Sequence, residues 1–212
     1  MIEVALFPIP NSVNFPGVPC QLHVFEPRYR KMVLHCLEHQ LLLGVCHTEK
    51  VLHAPSNNQS LEKALHSNQA TYKPCDIFSA GPITLLEELE DGRMLIEVDT
   101  NIRLRLQNEV QTLPFNIWGC EQWPDTPITE QTLIMLEQAQ EKILRRLTIL
   151  AHGNAEYQEA LNDDYWQKMP AEKFSFSVMG MLQMDPNLKQ ELLEMTEPTE
   201  RLEQTLTILN NP

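Results

Sequence analysis

The sequence has little glycine, and what glycine it has is widely spaced. The chain holds seven glycines in 212 residues, and the two that lie closest together are Gly81 and Gly92. A phosphate-binding loop, a dinucleotide fingerprint and the nucleophile elbow of many hydrolases each need two or more glycines within a few residues. These three signatures are therefore excluded, and with them the commonest routes to nucleotide hydrolysis, nicotinamide chemistry and acyl transfer.

Positive charge is also scarce. Sixteen Lys and Arg face 29 Asp and Glu, which gives a formal net charge of −13 at neutral pH. Nucleic-acid binding draws most of its affinity from clustered basic side chains that neutralise phosphates. The charge balance therefore argues against nucleic acid as a partner, and it favours solubility.

Paired cysteines and long apolar runs are missing as well. The five cysteines form no C-x-x-C pair and are odd in number, so we expect free thiols in a reducing compartment. No segment approaches the ~20 apolar residues of a membrane span, and the N-terminus lacks the basic start of a secretion signal. These features predict a cytoplasmic protein without a membrane partner.

The first half of the chain has the pattern of short strands separated by prolines. Apolar runs at residues 4–7, 41–46 and 94–98 predict strands, and the turn at residues 90–93 predicts a hairpin with residues 83–89. Residues 102–106 alternate strictly, which predicts leucines on one face and Arg103 and Arg105 on a solvated face. A helix is predicted to start at Pro27, with Tyr29, Met32, Val33, Cys36 and Leu37 on its buried side. Residues 53–70 are polar and irregular, which predicts a surface excursion.

The second half is predicted to be helical. A leucine and isoleucine stripe predicts a helix from about residue 133 to 150, ending near Gly153. Further helices are predicted over residues 171–183, from Asp185 with Pro186, and from Pro198. We place the domain boundary so that residues 1–127 form a β-rich part and residues 128–212 a helical bundle, and the chain falls in the α+β class.

One short motif has the spacing of a zinc site. His35, Glu38 and His39 match H-x-x-E-H, in which two histidines hold zinc and the glutamate acts as general base. On the predicted helix they lie opposite the apolar stripe, where a zinc ion would lack a sheltered cavity and supporting hydrogen bonds. We prefer to interpret these three residues as a surface cluster, and we expect no bound metal. A zinc hydrolase is the less favoured alternative.

Methionine and aromatic residues are concentrated at residues 174–184. Such side chains make surfaces that adapt to varied apolar ligands, although a bundle core would have the same composition. A local group of basic residues could likewise meet RNA or an acidic peptide, or could be an ordinary solvated face. Its members are Arg28, Arg30, Lys31, Arg103 and Arg105.

Longer motifs in the first half carry a family resemblance. The segments LFPIPNSVNFPGV (residues 6–18) and LHVFEPRYRKMV (residues 22–33) resemble the opening of the Lon protease N-terminal domain family. Residues 80–93, with the sequence AGPITLLEELEDGR, resemble that family's central hairpin, and residues 185–203 resemble its C-terminal helices. The similarity spans nearly the whole chain.

The resemblance implies a PUA-like β-barrel followed by an α-helical bundle, and a substrate-binding role without catalysis. It implies binding of unfolded or client polypeptides, as an adaptor or chaperone-like protein in protein quality control, with a Lon-type protease as a candidate partner. No catalytic residue and no cofactor is expected. By analogy with the PUA-like architecture, RNA binding is the alternative.

A binding surface can also be predicted from side-chain chemistry. Clefts between domains combine apolar walls with a few polar groups. Tryptophan and methionine supply much of the contact area in such places. We therefore predict a protein-binding site where the β-rich part meets the helical bundle, and the candidates are Trp118, Trp123, Met179, Met181 and Met184.

Overall fold

The computed structural model describes residues 1–53, 71–161 and 163–210. By its contacts the chain forms two compact units: the first is Met1–Trp123 with Met184–Leu193, and the second is Pro124–Gln183 with Glu194–Pro212. The domain boundary predicted after residue 127 stays a prediction. The predicted excursion over residues 53–70 lies outside the described residues except for His53, which ends a strand.

The first unit is built mainly of strands, with one helix after the second strand and another near the C-terminus. The strands are β1 (Ile2–Pro8), β2 (Cys20–Val24), β3 (Leu42–Cys46), β4 (Thr48–His53), β5 (Thr71–Pro74), β6 (Ile77–Gly81), β7 (Ile83–Glu88), β8 (Met94–Val98), β9 (Ile102–Gln111) and β10 (Ile117–Gln122). The helices are α1 (Pro27–His39) and, from the C-terminal part of the chain, α6 (Pro186–Glu194).

Five of the strands close into a barrel in the order β1-β10-β9-β6-β3, in which only β1 and β3 run parallel. A three-stranded sheet has the order β2-β8-β7, and β4 pairs with β5. One apolar cluster includes Phe78 and Leu104, and another joins α1, through Met32 and Val33, to β8. The hairpin predicted around residues 90–93 is confirmed as β7 and β8.

Helix α1 begins where the sequence predicts, with Pro27 at its first position and Glu26 in an extended conformation before it. Four of its five predicted inward residues are buried, but Leu37 is 36% exposed, so its prediction was wrong. An α-helix turns by about 100° per residue, so Leu37 lies at the margin of the stripe that faces the core. Gln40 ends the helix in the left-handed region (φ 53°), with its N–H bonded to the Cys36 carbonyl.

The prediction of a fully solvated face on β9 was also wrong. Arg103 is only 5% exposed, and its Nη1 donates to the Leu193 carbonyl of α6 at 2.6 Å. Gln190 of the same helix donates its Nε2 to the Ile77 carbonyl at 2.8 Å. Helix α6 therefore covers part of the barrel wall, and both faces of β9 are enclosed at Arg103.

The second unit is helical. Its elements are α2 (Glu130–Leu150), α3 (Ala155–Leu161), α4 (Asp164–Lys168), α5 (Ala171–Ser177), a 3₁₀ helix (Val178–Met181) and α7 (Pro198–Asn210). Helix α2 starts with a reciprocal cap between Thr129 and Thr132, and it packs against α5 and α7. The helix predicted over residues 171–183 is α-helical only to Ser177 and then tightens into the 3₁₀ turn.

The α+β class, with a β-barrel first and helices after it, is confirmed. The long helix of the second half and the starts of α6 and α7 lie where the sequence predicts, and Asp185 Oδ1 accepts the Asn187 N–H at 2.8 Å at the start of α6. Within the described residues, no helix is both long enough and apolar enough to cross a bilayer.

Candidate functional site

An apolar groove crosses the first unit and is formed by two adjoining hollows that share Pro8, Tyr29 and Tyr72. We call it the Tyr29 groove. The first hollow has a volume of about 490 Å³ and the second about 440 Å³. The first is lined by Leu6, Pro8, Arg28, Tyr29, Tyr72, Lys73, Pro74, Asp76, Leu106, Glu109, Thr112, Leu113, Pro114, Phe115, Asn116 and Trp118. The second is lined by Phe7, Pro8, Ile9, Pro10, Leu22, His23, Phe25, Glu26, Tyr29 and Tyr72.

The start of α1 fixes the floor of this groove. Pro27 sets the first helical turn, which directs Tyr29 inward, so that its ring stacks on Phe7 with the centroids 4.1 Å apart. The Arg28 guanidinium lies 4.5 Å from the centroid of the same ring. Burial raises the pKa of the Tyr29 phenol, which therefore stays neutral and acts as an apolar wall with a polar tip.

The loop between β9 and β10 forms the opposite wall. Phe115 is buried, whereas Leu113 is 80% exposed beside it. A leucine this exposed contributes little to the packing of the unit, so its side chain is available to a ligand. Trp118 on β10 is half-buried, and its indole N–H is buried with no hydrogen-bond acceptor among the described residues.

The rim of the first hollow is more acidic than its composition suggests. Arg28 is paired with Glu26 (Nη2 to Oε2, 3.1 Å), and Lys73 is paired with Glu49. Asp76 and Glu109 are exposed carboxylates on the same rim, and Asp76 lies close enough to Lys73 to interact with its charge. The two basic groups are thus neutralised within the chain, and Glu109 is left to a ligand.

The predicted binding residues fall in both units. Trp118 lines the groove, and the half-buried Trp123 lies under the Arg105 guanidinium, 4.8 Å from its ring centroid. Met184 is half-buried and belongs to the first unit, whereas the half-buried Met181 belongs to the second. A binding site that combines these residues stays a prediction.

Met179 differs from the other four predicted residues because it is fully buried. The hydroxyl of Thr205 lies 4.0 Å from its sulfur, within the second unit. Its neighbours Phe174 and Val178 are fully buried too. This part of the methionine and aromatic stretch is core, so the side chain of Met179 cannot touch a ligand at the surface.

The zinc-like motif sits on the outer side of α1. The rings of His35 and His39 have their centroids 4.3 Å apart, and His35 also lies 5.4 Å from the Phe115 ring. Glu38 is exposed, with its Oε2 at 3.8 Å from Nε2 of His39. Among the residues that the structure describes, no group of three or more His, Cys, Asp or Glu side chains is arranged to hold a metal ion.

None of the five cysteines forms a disulfide, and all five are buried. Burial raises the pKa of Cys20 to about 11 and the pKa values of Cys36 and Cys120 to about 12. A nucleophilic cysteine requires a lowered pKa, because the thiolate is the reactive form. These three thiols therefore behave as small apolar side chains at neutral pH.

Comparison with known proteins decides the family. Residues 3–211 match the family described as the ATP-dependent protease La (LON) substrate-binding domain. The chain belongs to this Lon substrate-binding domain family. The resemblance read from the motifs of the first half is thereby confirmed.

Two solved structures of Lon N-terminal domains share the fold. The N-terminal domain of the Mycobacterium avium complex Lon protease superposes with a TM-score of 0.68 at 14% identity, covering 99% of this chain and 98% of that one. A Lon N-terminal domain protein from Xanthomonas campestris gives a TM-score of 0.60 at 19% identity, covering 98% of both chains. At these identities the likeness establishes the fold alone.

The groove contains residues that the sequence prediction missed. Tyr72, Leu113 and Phe115 line it but were not among the candidates. The available signal was the apolar pair Leu113 and Phe115 around a proline in a loop, where polar residues are usual. Tyr72 has no comparable signal, because only the folded strands bring it beside Tyr29.

Proposed function

We propose that this protein binds unfolded or client polypeptides in the Tyr29 groove, as a non-catalytic adaptor or chaperone-like module in protein quality control. The observation that carries the proposal is an open groove with aromatic walls and an exposed leucine, on a member of a substrate-binding domain family. Ligand sites are typically concave and mostly apolar, with a few polar groups that fix orientation. A Lon-type protease is the proposed recipient of bound clients, and the cytoplasm is the proposed compartment.

The groove suits polypeptides better than a compact ligand. Its two hollows run into each other through Tyr29 and Tyr72, which makes an elongated apolar surface instead of an enclosed pocket. Exposed apolar surface of this kind marks interaction sites in soluble proteins. Clients that expose apolar side chains when unfolded would be selected over folded proteins.

The RNA-binding alternative lacks comparable support. Arg28 pairs with Glu26, Arg105 pairs with Glu121, and the Arg30 Nη1 donates to the Gly92 carbonyl at 3.2 Å. These guanidiniums are engaged within the chain, and Arg103 is buried. Four of the five basic residues that the sequence grouped together are therefore engaged within the chain or buried, which argues against a basic face for RNA.

The test is binding of fluorescein-labelled unfolded casein, followed by fluorescence anisotropy. Leu113→Asp should weaken binding about tenfold or more, the effect expected from losing the burial of one leucine. Leu86→Asp is the matched control, because Leu86 is also exposed (45%), lies in the same unit and does not line the groove. It should bind casein like the unchanged protein.

The same assay separates this proposal from the site predicted where the two parts of the chain meet. Met181→Asp and Met184→Asp should leave casein binding unchanged if the groove is the site. If these variants lose binding and Leu113→Asp keeps it, the groove assignment is wrong and the earlier prediction takes its place. Absence of ATP hydrolysis and of casein cleavage in the purified protein would support the non-catalytic role, and turnover above a heat-treated control would contradict it.

A further inference from the structure

Strand β9 extends well past its neighbour in the barrel. Its first part pairs with β6, from Ile102 opposite Ala80 to Arg105 opposite Ile77. The last bond on this side runs from the Leu106 N–H to the Asp76 carbonyl at 2.9 Å. Over residues 107–111, which we call the β9 overhang, β10 is the pairing strand, and no other described strand pairs with the opposite edge.

The open edge of the β9 overhang borders the Tyr29 groove. Leu106, Glu109 and Thr112 line the first hollow on the side of β9, and Tyr72, Pro74 and Asp76 line it on the side of β5. Residues 107–110 are all exposed. Among the described residues, the groove therefore has an edge without a partner strand beside an apolar wall, which is the combination that strand addition uses.

The overhang lacks two of the residue types that usually protect an edge strand. Its sequence is QNEVQ, with no proline and no lysine, although it does carry the charged Glu109. Two register shifts in the pairing of β9 with β10 fall in this part of the ladder. Bulges can turn an edge away, but they are also frequent beside binding sites, where they re-aim side chains.

The charge pattern selects the occupant. If two copies paired edge to edge about the centre of the overhang, Glu109 would face Glu109, and directly opposed like charges are destabilising. Both copies would also carry a net charge of −13. The exposed carboxylate of Glu109, which forms no ion pair with another described residue, instead suits a basic side chain on a different polypeptide.

We propose that an extended polypeptide segment adds as a strand to the β9 overhang, with apolar side chains and one lysine or arginine on its groove-facing side. The apolar side chains enter the Tyr29 groove, and the basic side chain lies beside Glu109, which pairs with Trp118 on the groove side of the ladder. This inference rests on the proposed function, since it specifies how the groove holds a client and which clients it prefers. Main-chain hydrogen bonds provide the affinity in this binding mode, and alternate side chains provide the selectivity.

The first test uses the 212-residue chain and a fluorescein-labelled nine-residue peptide, called the lysine peptide, with valine at alternate positions except for a lysine at the centre, and serine between them. Two further versions carry N-methyl groups on alternate amides, one in each phase. In an added strand only every second amide faces the edge, so one methylated version should bind about tenfold more weakly and the other should bind within about twofold of the parent. Equal binding of the two versions would overturn strand addition.

The second test exchanges charge. Glu109→Lys should weaken binding of the lysine peptide about fivefold and strengthen binding of the same peptide with glutamate in place of its lysine by a similar factor. Glu88→Lys is the matched control, because Glu88 is an exposed strand residue of the same unit outside the groove, and it should bind both peptides like the unchanged protein. If Glu109→Lys and Glu88→Lys had equal effects, the preference for the lysine peptide would be due to net charge alone. The placement of a basic side chain beside Glu109 would then be refuted.

Failure of this inference can be distinguished from failure of the proposed function. If Leu113→Asp abolishes binding of the lysine peptide but the two methylated peptides bind alike, the groove binds side chains and strand addition is wrong. If the unchanged protein binds neither this peptide nor unfolded casein, both proposals fall. If sedimentation shows a dimer that Glu109→Lys dissociates, a second copy occupies the edge and the inference is overturned.

Discussion

Removal of the Asp125 carboxylate, which pairs with a buried arginine, should destabilise the second unit strongly. Its partner Arg201 is fully buried, with Nη2 at 2.5 Å from Asp125 Oδ1 and Nη1 at 3.3 Å from Oδ2. The same guanidinium donates to Ser175 Oγ at 2.6 Å and to the Met195 carbonyl at 2.7 Å, and it lies 3.7 Å from the Phe176 ring centroid. Arg201 thus joins the segment before α2, helix α5 and helix α7.

The expected loss of unfolding free energy follows from the charged Arg201 guanidinium that Asp125→Ala leaves in the folded unit. Burial lowers the pKa of Arg201 and Asp125 opposes that change, but an arginine stays protonated in proteins. Asp125→Ala therefore removes a carboxylate partner of a buried cation, and removing one partner of a buried pair costs about 3–5 kcal/mol. Because 19% of the Asp125 side chain is exposed, we expect about 3 kcal/mol, the lower end of that range.

The assay is urea unfolding followed by tryptophan fluorescence. Trp166 lies in the second unit, with its ring edge-on to Phe174, so Trp118→Phe and Trp123→Phe together leave a reporter of this unit alone. In that background Asp125→Ala should lower the unfolding free energy, whereas the double variant Asp125→Leu with Arg201→Met should recover most of the loss. A loss below about 1 kcal/mol, the value of an exposed pair, would refute the view that this pair is a buried one.

Three other substitutions or labels test the first unit. Tyr29→Ala should lower the stability of this unit by about 3 kcal/mol, as for truncation of a buried aromatic, whereas Tyr29→Phe should cost far less. Equal urea midpoints for Tyr29→Ala and the unchanged protein would contradict the buried placement of Tyr29. Gly81→Ala should cost about 3 kcal/mol or more, because its Cβ would lie 1.7 Å from the Asp99 carbonyl oxygen, and a soluble variant with an unchanged midpoint would show that the loop yields. Ellman's reagent should label no cysteine in the native protein within minutes and all five after unfolding, so a rapidly labelled native thiol would show local opening.

Local patterns predicted the elements whose periodicity is strong and whose ends carry a turn or cap signal. Helix α1 follows from Pro27, and the β7–β8 hairpin follows from the turn around Gly92 (φ 81°). Strand β6 was missed because its five residues are all buried and show no alternation, which leaves too short an apolar run to classify. Strand β10 was missed because Gly119 interrupts its apolar pattern. In the fold this glycine lies close to the N-terminus, where a Cβ would be 2.4 Å from the Met1 sulfur.

Interpretation of β9 failed for a different reason. Alternation of Arg103 with Leu104 is typical of a strand with one wet face, and it was interpreted as such. Helix α6 covers Arg103 and accepts its hydrogen bond through the carbonyl of Leu193, which lies 90 positions later in the chain. No window along the sequence could show this, because the partner is set by the tertiary fold and not by the local pattern.

Met179 and Leu113 are both apolar, but they differ in exposure, which composition alone does not show. Met179 was a candidate ligand contact because methionine adapts to varied partners, yet it is fully buried, so any polar substitution there would unfold the second unit before it could report on binding. Leu113 was not a candidate, yet it projects 80% of its surface from a loop beside the aromatic wall of the groove. Its replacement by aspartate removes apolar contact area without leaving a cavity or a buried charge. For this reason a loss of client binding in Leu113→Asp, with an unchanged unfolding midpoint, would identify a contact with the client and not a weakened fold.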